Sequence, residues 1–153
     1  MTNRLNYFNI APQAMEILLQ QESYFHQHFR ESSTMSMTIW ELVKLRVSQI
    51  NQCAYCIDMH CKDALKLGEQ PERIYGLNAW RDMPLYTEQE KVALAFAEQI
   101  TACQPVTDEL YHQVLDTFGD LAMVDLTVAI NAIHSWNRIV KVFKPKVGVY
   151  QPV

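Results

Sequence analysis

Cys53, Cys56 and His60 fall within the run Cys53-Ala54-Tyr55-Cys56-Ile57-Asp58-Met59-His60, and Glu41 lies one helix earlier. On an α-helix, at about 100° per residue, Cys56 is about 60° from Cys53 and His60 about 20° from it, so the three side chains share one face. The stretch before them reads as helix over Met37 to Ile50, and Asn51-Gln52 interrupt it. Cys53 is therefore expected to open a new helix, where free N–H groups and the positive end of the macrodipole favour a thiolate. Two thiols in reach of each other, with a titratable base beside them, make a redox site.

A C-x-x-C pair also fits two buried small residues or half of a zinc site. At i and i+3 on a helix the β-carbons lie about 5–6 Å apart, against about 3.8 Å in a disulfide, a gap that a small adjustment of the first turn closes. Zinc needs a fourth ligand beyond Cys53, Cys56 and His60. Cys61 points about 100° away from His60, which leaves Cys103 or Glu41. Structural zinc sites draw their ligands from loops and turns more than from one helical face, so the expectation is a dithiol without metal. Glu41, set among Trp40, Leu42 and Val43, is expected to be partly buried and to need a partner. A carboxylate that orients an imidazole, which in turn serves a thiol, is the nucleophile–base–orienter arrangement of covalent catalysis. His60 is one turn from Cys56 and nearly two from Cys53, and nominates Cys56 as the attacking thiol.

Magnitudes show why the acid–base pair matters. A thiol of pKa about 8.5 is only about 3% thiolate at pH 7. Lowering that pKa by about two units raises the fraction some 25-fold, but lower basicity costs roughly tenfold in nucleophilicity. Protonation of the leaving group, worth about 10²–10⁴, has to supply the rest. The other histidines fit less well: His26 and His28 are about 200° apart on a helix, His112 reads as exposed, and His134 reads as a hydrogen-bonded core or interface residue.

Helical signals run through the whole chain. Pro12 opens a helix that fades near Phe29, and Ser32-Ser33-Thr34 forms a loop. The motif helix ends at Leu67-Gly68, with glycine just past the end. A short helix is expected from Glu72 to Trp80. Thr87-Glu88-Gln89-Glu90 is a capping box that starts a helix running to about Ala102. Thr107 caps Asp108 to Phe118, and the last helix runs from Asp120 to Phe143, before Pro145. About seven helices and no strand signal predict an all-α bundle forming a single domain over residues 1–153. The last helix has almost no polar face, which predicts a central core helix, a subunit interface or both at once, with the Lys144 to Tyr150 tail reaching a neighbouring subunit.

The chain has 153 residues, 49% hydrophobic and 20% charged, with a net charge of −4. That balance, with no cluster of basic residues beyond Lys141, Lys144 and Lys146, argues against a nucleic-acid partner. No secretory leader or membrane span is evident, so a cytoplasmic protein is expected. In that compartment the four cysteines point to redox or catalytic use rather than a structural disulfide framework.

Glu41, Cys53 twelve positions on, Cys56 three further and His60 four further reproduce a spacing that resembles the alkylhydroperoxidase D (AhpD)-like proteins of the carboxymuconolactone decarboxylase superfamily. The resemblance is tight over the motif and looser from about Met35 to Ala102. It implies an AhpD-like helical bundle assembling into homo-trimers or homo-hexamers. It also implies a peroxidase that needs no haem, flavin or other cofactor and is recharged by an external dithiol reductant of thioredoxin-like or lipoyl type. Cys56 would attack the peroxide, Cys53 would resolve, and Glu41 with His60 would relay protons. Tyr55 stands where some relatives have histidine, and Cys61 adds a thiol beside His60. Two other readings compete: a redox sensor or thiol-switched binding protein without turnover, and a decarboxylase of the wider superfamily, whose chemistry has no need of a second thiol.

Overall fold

The structure, a computed structural model, describes residues 4–152. Its helices are α1 (Tyr7–Ile10), α2 (Pro12–Glu31), α3 (Met37–Ile50), α4 (Ala54–Lys66), α5 (Pro71–Gly76), α6 (Glu88–Thr101), α7 (Asp108–Phe118) and α8 (Asp120–Phe143). A 3₁₀ turn, Leu77–Ala79, extends α5, and no strand occurs among the described residues. The all-α class is as the sequence predicts. None of these helices is long and apolar enough to cross a membrane.

Local chemistry sets most of the boundaries. The Ser36 hydroxyl accepts from the Ile39 N–H to start α3, and Thr107 does the same for Leu110 at the start of α7. Thr87 and Glu90 form the reciprocal capping box at the start of α6. Gly119, at φ 81°, turns the chain sharply between α7 and α8, a backbone conformation that suits a residue without Cβ. The segment expected as one helix from Glu72 to Trp80 is α5 followed by the 3₁₀ turn. The four-residue α1 was not expected; the Asn6 side chain caps it, and so short a helix carries no apolar periodicity.

Helix α3 is the axis of the bundle, and its stripes face three environments. Trp40, Val43 and Val47 join the main core with Phe25, Phe29, Phe96, Leu126 and Ile130. Leu42 and Leu45 join a second core with Ala64, Ile74, Leu77 and Trp80. The third stripe is polar and still buried: Glu41, Lys44 and Ser48. Spaced by three and four residues, these lie one above another, towards α4 and α8. Helix α8 is buried through Leu126, Ala129, Ile130 and Ile133, while Leu121, Val124 and Val128 form an exposed apolar row.

Candidate redox site

The turn between α3 and α4 delivers the first cysteine. The Asn51 N–H bonds the Val47 carbonyl at 2.9 Å and the Cys53 N–H bonds that of Ser48 at 3.0 Å, closing the end of α3. Gln52 takes φ 53°, the left-handed conformation, without being glycine. Cys53 then sits outside the helix, as the N-cap of α4, with φ −95° and ψ 91°. This corrects the expectation that Cys53, Cys56 and His60 share one helical face. Two helical residues at i and i+3 hold their β-carbons too far apart for a disulfide. An extended N-cap relieves this, and Cys53 and Cys56 are joined, with their Cα atoms 5.3 Å apart. Both cysteines are buried against Val140 of α8.

A polar clamp holds this turn. The Asn51 amide reaches Asn137 Oδ1 at 2.9 Å and His134 Nδ1 at 3.0 Å, and the Asn137 amide donates to Ser48 Oγ at 3.1 Å. Thr101 spends its hydroxyl proton on the Ala97 carbonyl and therefore accepts from His134 Nε2, 3.1 Å away. His134 is thus a donor at Nε2 and an acceptor at Nδ1. Burial, with the charge of Arg138, lowers its pKa and favours this neutral form. The reading of His134 as a hydrogen-bonded core residue agrees with its place here; Asn51, Ser48 and Asn137 were missed. The signal was Asn137 itself, an amide between the apolar Ile133 and Val140 on the buried face of α8.

The second half of the site joins α3 to α4. His60 Nδ1 lies 3.1 Å from Glu41 Oε2, and the Lys44 ammonium pairs with Oε1. Glu41 is 4% exposed and His60 3%. Burial raises the pKa of the Glu41 carboxyl, but the hydrogen bond from His60 and the charge of Lys44 outweigh it and hold the pKa at about 2 against an ordinary 4.5. An ionised Glu41 accepts from Nδ1–H, which places the imidazole lone pair on Nε2. That atom is buried and has no hydrogen-bond partner among the described residues. His60 and Cys56 line one cavity of about 240 Å³, with apolar walls from Phe8, Leu19, Met59, Ile133, Trp136 and Val140. The arrangement sets a base, fixed from behind by a carboxylate, beside a sulfur and a hydrocarbon-lined chamber.

A model of the carboxymuconolactone decarboxylase family matches residues 15–99, a span that includes Glu41, Cys53, Cys56 and His60. The chain belongs to the carboxymuconolactone decarboxylase family. It is 46% identical over 141 residues to the uncharacterized protein YdfG of Bacillus subtilis, covering 91% of this chain and 92% of that one. Among solved structures it resembles ATU0492 of Agrobacterium tumefaciens, a protein of unknown function and candidate antioxidant defence protein AhpD. The TM-score is 0.86 and the identity 34%, over 97% of this chain and 100% of the other. An uncharacterized peroxidase-related protein from Ralstonia eutropha with an alkylhydroperoxidase AhpD core shares the fold, with TM-score 0.79 at 14% identity over 93% of this chain and 74% of that one.

Within this AhpD-like core, two cavity residues lay outside the sequence reading. The Tyr150 hydroxyl donates to Asp63 Oδ1 at 2.8 Å, and both side chains line the chamber. They meet because the C-terminal tail folds back over α4 of its own chain. The Gly148 N–H bonds Asp58 Oδ2 at 3.1 Å, and Lys62 reaches the Tyr150 carbonyl at 3.1 Å. The tail expected to reach a neighbouring subunit is bonded to Asp58, Lys62 and Asp63 of its own chain. Cys61 is half-buried against the second core, and burial together with the charge of Asp58 raises its pKa. Cys103 is exposed at the end of α6. The potential ligand atoms of Glu41, His60 and Asp63 lie within 4.8 Å of one another, a set different from the thiol-based one weighed from sequence. The Lys44 ammonium on Glu41 makes this a poor place for a second cation.

The depressed Glu41 pKa fixes a sign. A carboxylate at about 2 in the fold and about 4.5 when unfolded contributes stability that is fully present above the higher value and is lost as pH falls towards the lower. Its size is about 3 kcal/mol. Thermal melts of wild type and Glu41→Gln should therefore differ most near neutrality and converge as pH drops from about 5 to about 2. Parallel curves would show that the Glu41 charge is not the source.

Proposed function

We propose that the protein is a thiol-dependent peroxidase that reduces hydrogen peroxide or organic hydroperoxides through Cys56 and Cys53. The observation that carries this is that Cys56 and His60 line one chamber while Glu41 holds Nδ1 of the imidazole and leaves Nε2 without a partner among the described residues. In the reduced protein the Cys56 proton passes to His60 Nε2, and the thiolate attacks the terminal oxygen of R–O–O–H. An S–O bond forms, the O–O bond breaks, and the departing alkoxide takes the proton from His60, leaving ROH and a sulfenic acid on Cys56. The Cys53 thiol then attacks that sulfur, the S–OH bond breaks, and the thiol proton joins the departing hydroxide, so that the disulfide forms and water is released. A dithiol donor returns both cysteines to thiols and leaves as its own disulfide. A hydrocarbon-lined chamber suits the apolar part of an organic hydroperoxide. The proposed setting is the cytoplasm, where reductants that recharge such a dithiol are available.

Cys56→Ser should consume no peroxide. Cys53→Ser should react once and stop at an oxidised Cys56, and His60→Ala should slow the peroxide step by about 10²–10⁴. Mass spectrometry after one equivalent of cumene hydroperoxide, beside steady-state assays with dithiothreitol, reads all three. Oxidation of Cys53 in Cys56→Ser, with Cys56 inert in the converse variant, would reverse the assignment. One oxidation without turnover would favour a redox switch over an enzyme.

The exposed row Leu121, Val124 and Val128 on α8 supports the proposal of a homo-oligomer, trimeric or hexameric. Light scattering should give a mass that is a multiple of 17.8 kDa; a monomer at micromolar concentration would refute it.

A further inference from the structure

The two buried cysteines of the disulfide line different cavities. Cys56 lines the chamber with His60, whereas Cys53 lines a separate recess of about 280 Å³ with Gln52, Lys141, Lys144 and Val147. Tyr55 and Val140 border both spaces and form the partition between them. Past Tyr55 and Lys144 the recess adjoins a wider depression that carries Arg4 and Lys146. Neither space is lined by an aspartate or a glutamate. The chamber, in contrast, has Glu22 and Asp63 beside Lys44. Two exposed cations, Lys141 and Lys144, thus line the Cys53 recess in a chain of net charge −4, and Arg4 and Lys146, also exposed, flank the depression, which adjoins the chamber as well through Tyr7, Phe8 and Tyr55. Arg4 is anchored on the Val142 carbonyl and Lys141 on that of Asn51. Among the described residues none of the four makes an ion pair.

We propose that this basic recess is the entry site of an anionic dithiol reductant, which attacks Cys53 rather than Cys56; the proposal rests on the peroxidase reading, whose return step it supplies. A donor thiolate bonds to Cys53 Sγ, the Cys53–Cys56 bond breaks, and its electron pair leaves on Cys56. The second donor thiolate then attacks the mixed disulfide. It frees Cys53 as a thiolate and closes the donor's own disulfide; the donor is oxidised by two electrons and the protein reduced by two. Cys56, next to His60, is the better leaving group, since a stabilised thiolate leaves faster. Cations around the entrance raise the local concentration of a negatively charged donor. A recess of about 280 Å³ is of a size for a small dithiol.

The test uses oxidised protein without peroxide, reduced by dihydrolipoate or by dihydrolipoamide, which carry the same dithiol and differ by one carboxylate. Acid quench and mass spectrometry give the rates. At low ionic strength dihydrolipoate should be about three- to tenfold faster, an advantage lost in about 0.5 M salt. It should be abolished or inverted in Lys144→Glu/Lys146→Glu, whose fold circular dichroism checks. The net charge of the whole chain favours the opposite order. Equal rates, a faster amide, or a carboxylate advantage indifferent to salt would overturn the proposal on the wild type alone. A preference that survives the double substitution in a folded variant would overturn it too. Because no peroxide is present, failure here beside normal peroxide turnover refutes only the entry site. A charge-dependent reduction without peroxide turnover refutes only the peroxidase reading.

Discussion

The buried carboxylate of Glu41, on the central helix of the bundle, is the constraint on which the site depends. An ionised group so far from water is tolerable only if its oxygens are satisfied by cationic or hydrogen-bonding partners. Lys44, one turn along α3, takes one oxygen and His60 of α4 takes the other. The second contact fixes how α4 lies against α3, and so where Cys56, one turn before His60, points. The same stripe continues through Ser48 to Asn51, whose partners on α8 fix the turn that carries Cys53. One buried polar seam along this helix therefore positions both sulfurs. It does so from opposite ends: charge holds the Cys56 side, and neutral hydrogen bonds hold the Cys53 side.

This division gives the two cysteines different surroundings although only two residues lie between them. Cys56 borders the chamber that His60 also lines. Cys53, the non-helical N-cap, borders the recess that carries Lys141 and Lys144, on the far side of Tyr55 and Val140. Helix α8 serves both, through Ile133 and Trp136 on the chamber and Lys141 on the recess. A dithiol that must meet an oxidant and a reductant in turn gains from such separation, since neither partner has to displace the other.

Elements bounded by local chemistry were legible in the sequence. The bounds of α3, α7 and α8 follow from Ser36, Thr107 and Gly119, residues whose side chain, or lack of one, satisfies the helix ends directly. Glu41 and His60 could be paired because a carboxylate among Trp40, Leu42 and Val43 has to find a partner. Lys44 was within reach of the same argument, being i+3 from Glu41, and was passed over because a lysine is ordinarily solvated. The N-cap geometry of Cys53 was not legible: helical angle arithmetic places it on the α4 face, and no glycine marks the left-handed Gln52 before it. Tyr150 and Asp63 meet across 87 positions of sequence, a contact that no local periodicity encodes.

The claim that the Glu41–His60 pair prepares Cys56 for chemistry can be measured without peroxide. The rate at which iodoacetamide alkylates Cys56 in the reduced protein, followed by peptide mass spectrometry from about pH 5 to 10, reports where that thiol ionises. The account predicts a midpoint below the ordinary value of about 8.5, moved up by about one unit or more in Glu41→Gln. An unshifted Cys56 with the same profile in both proteins would contradict it.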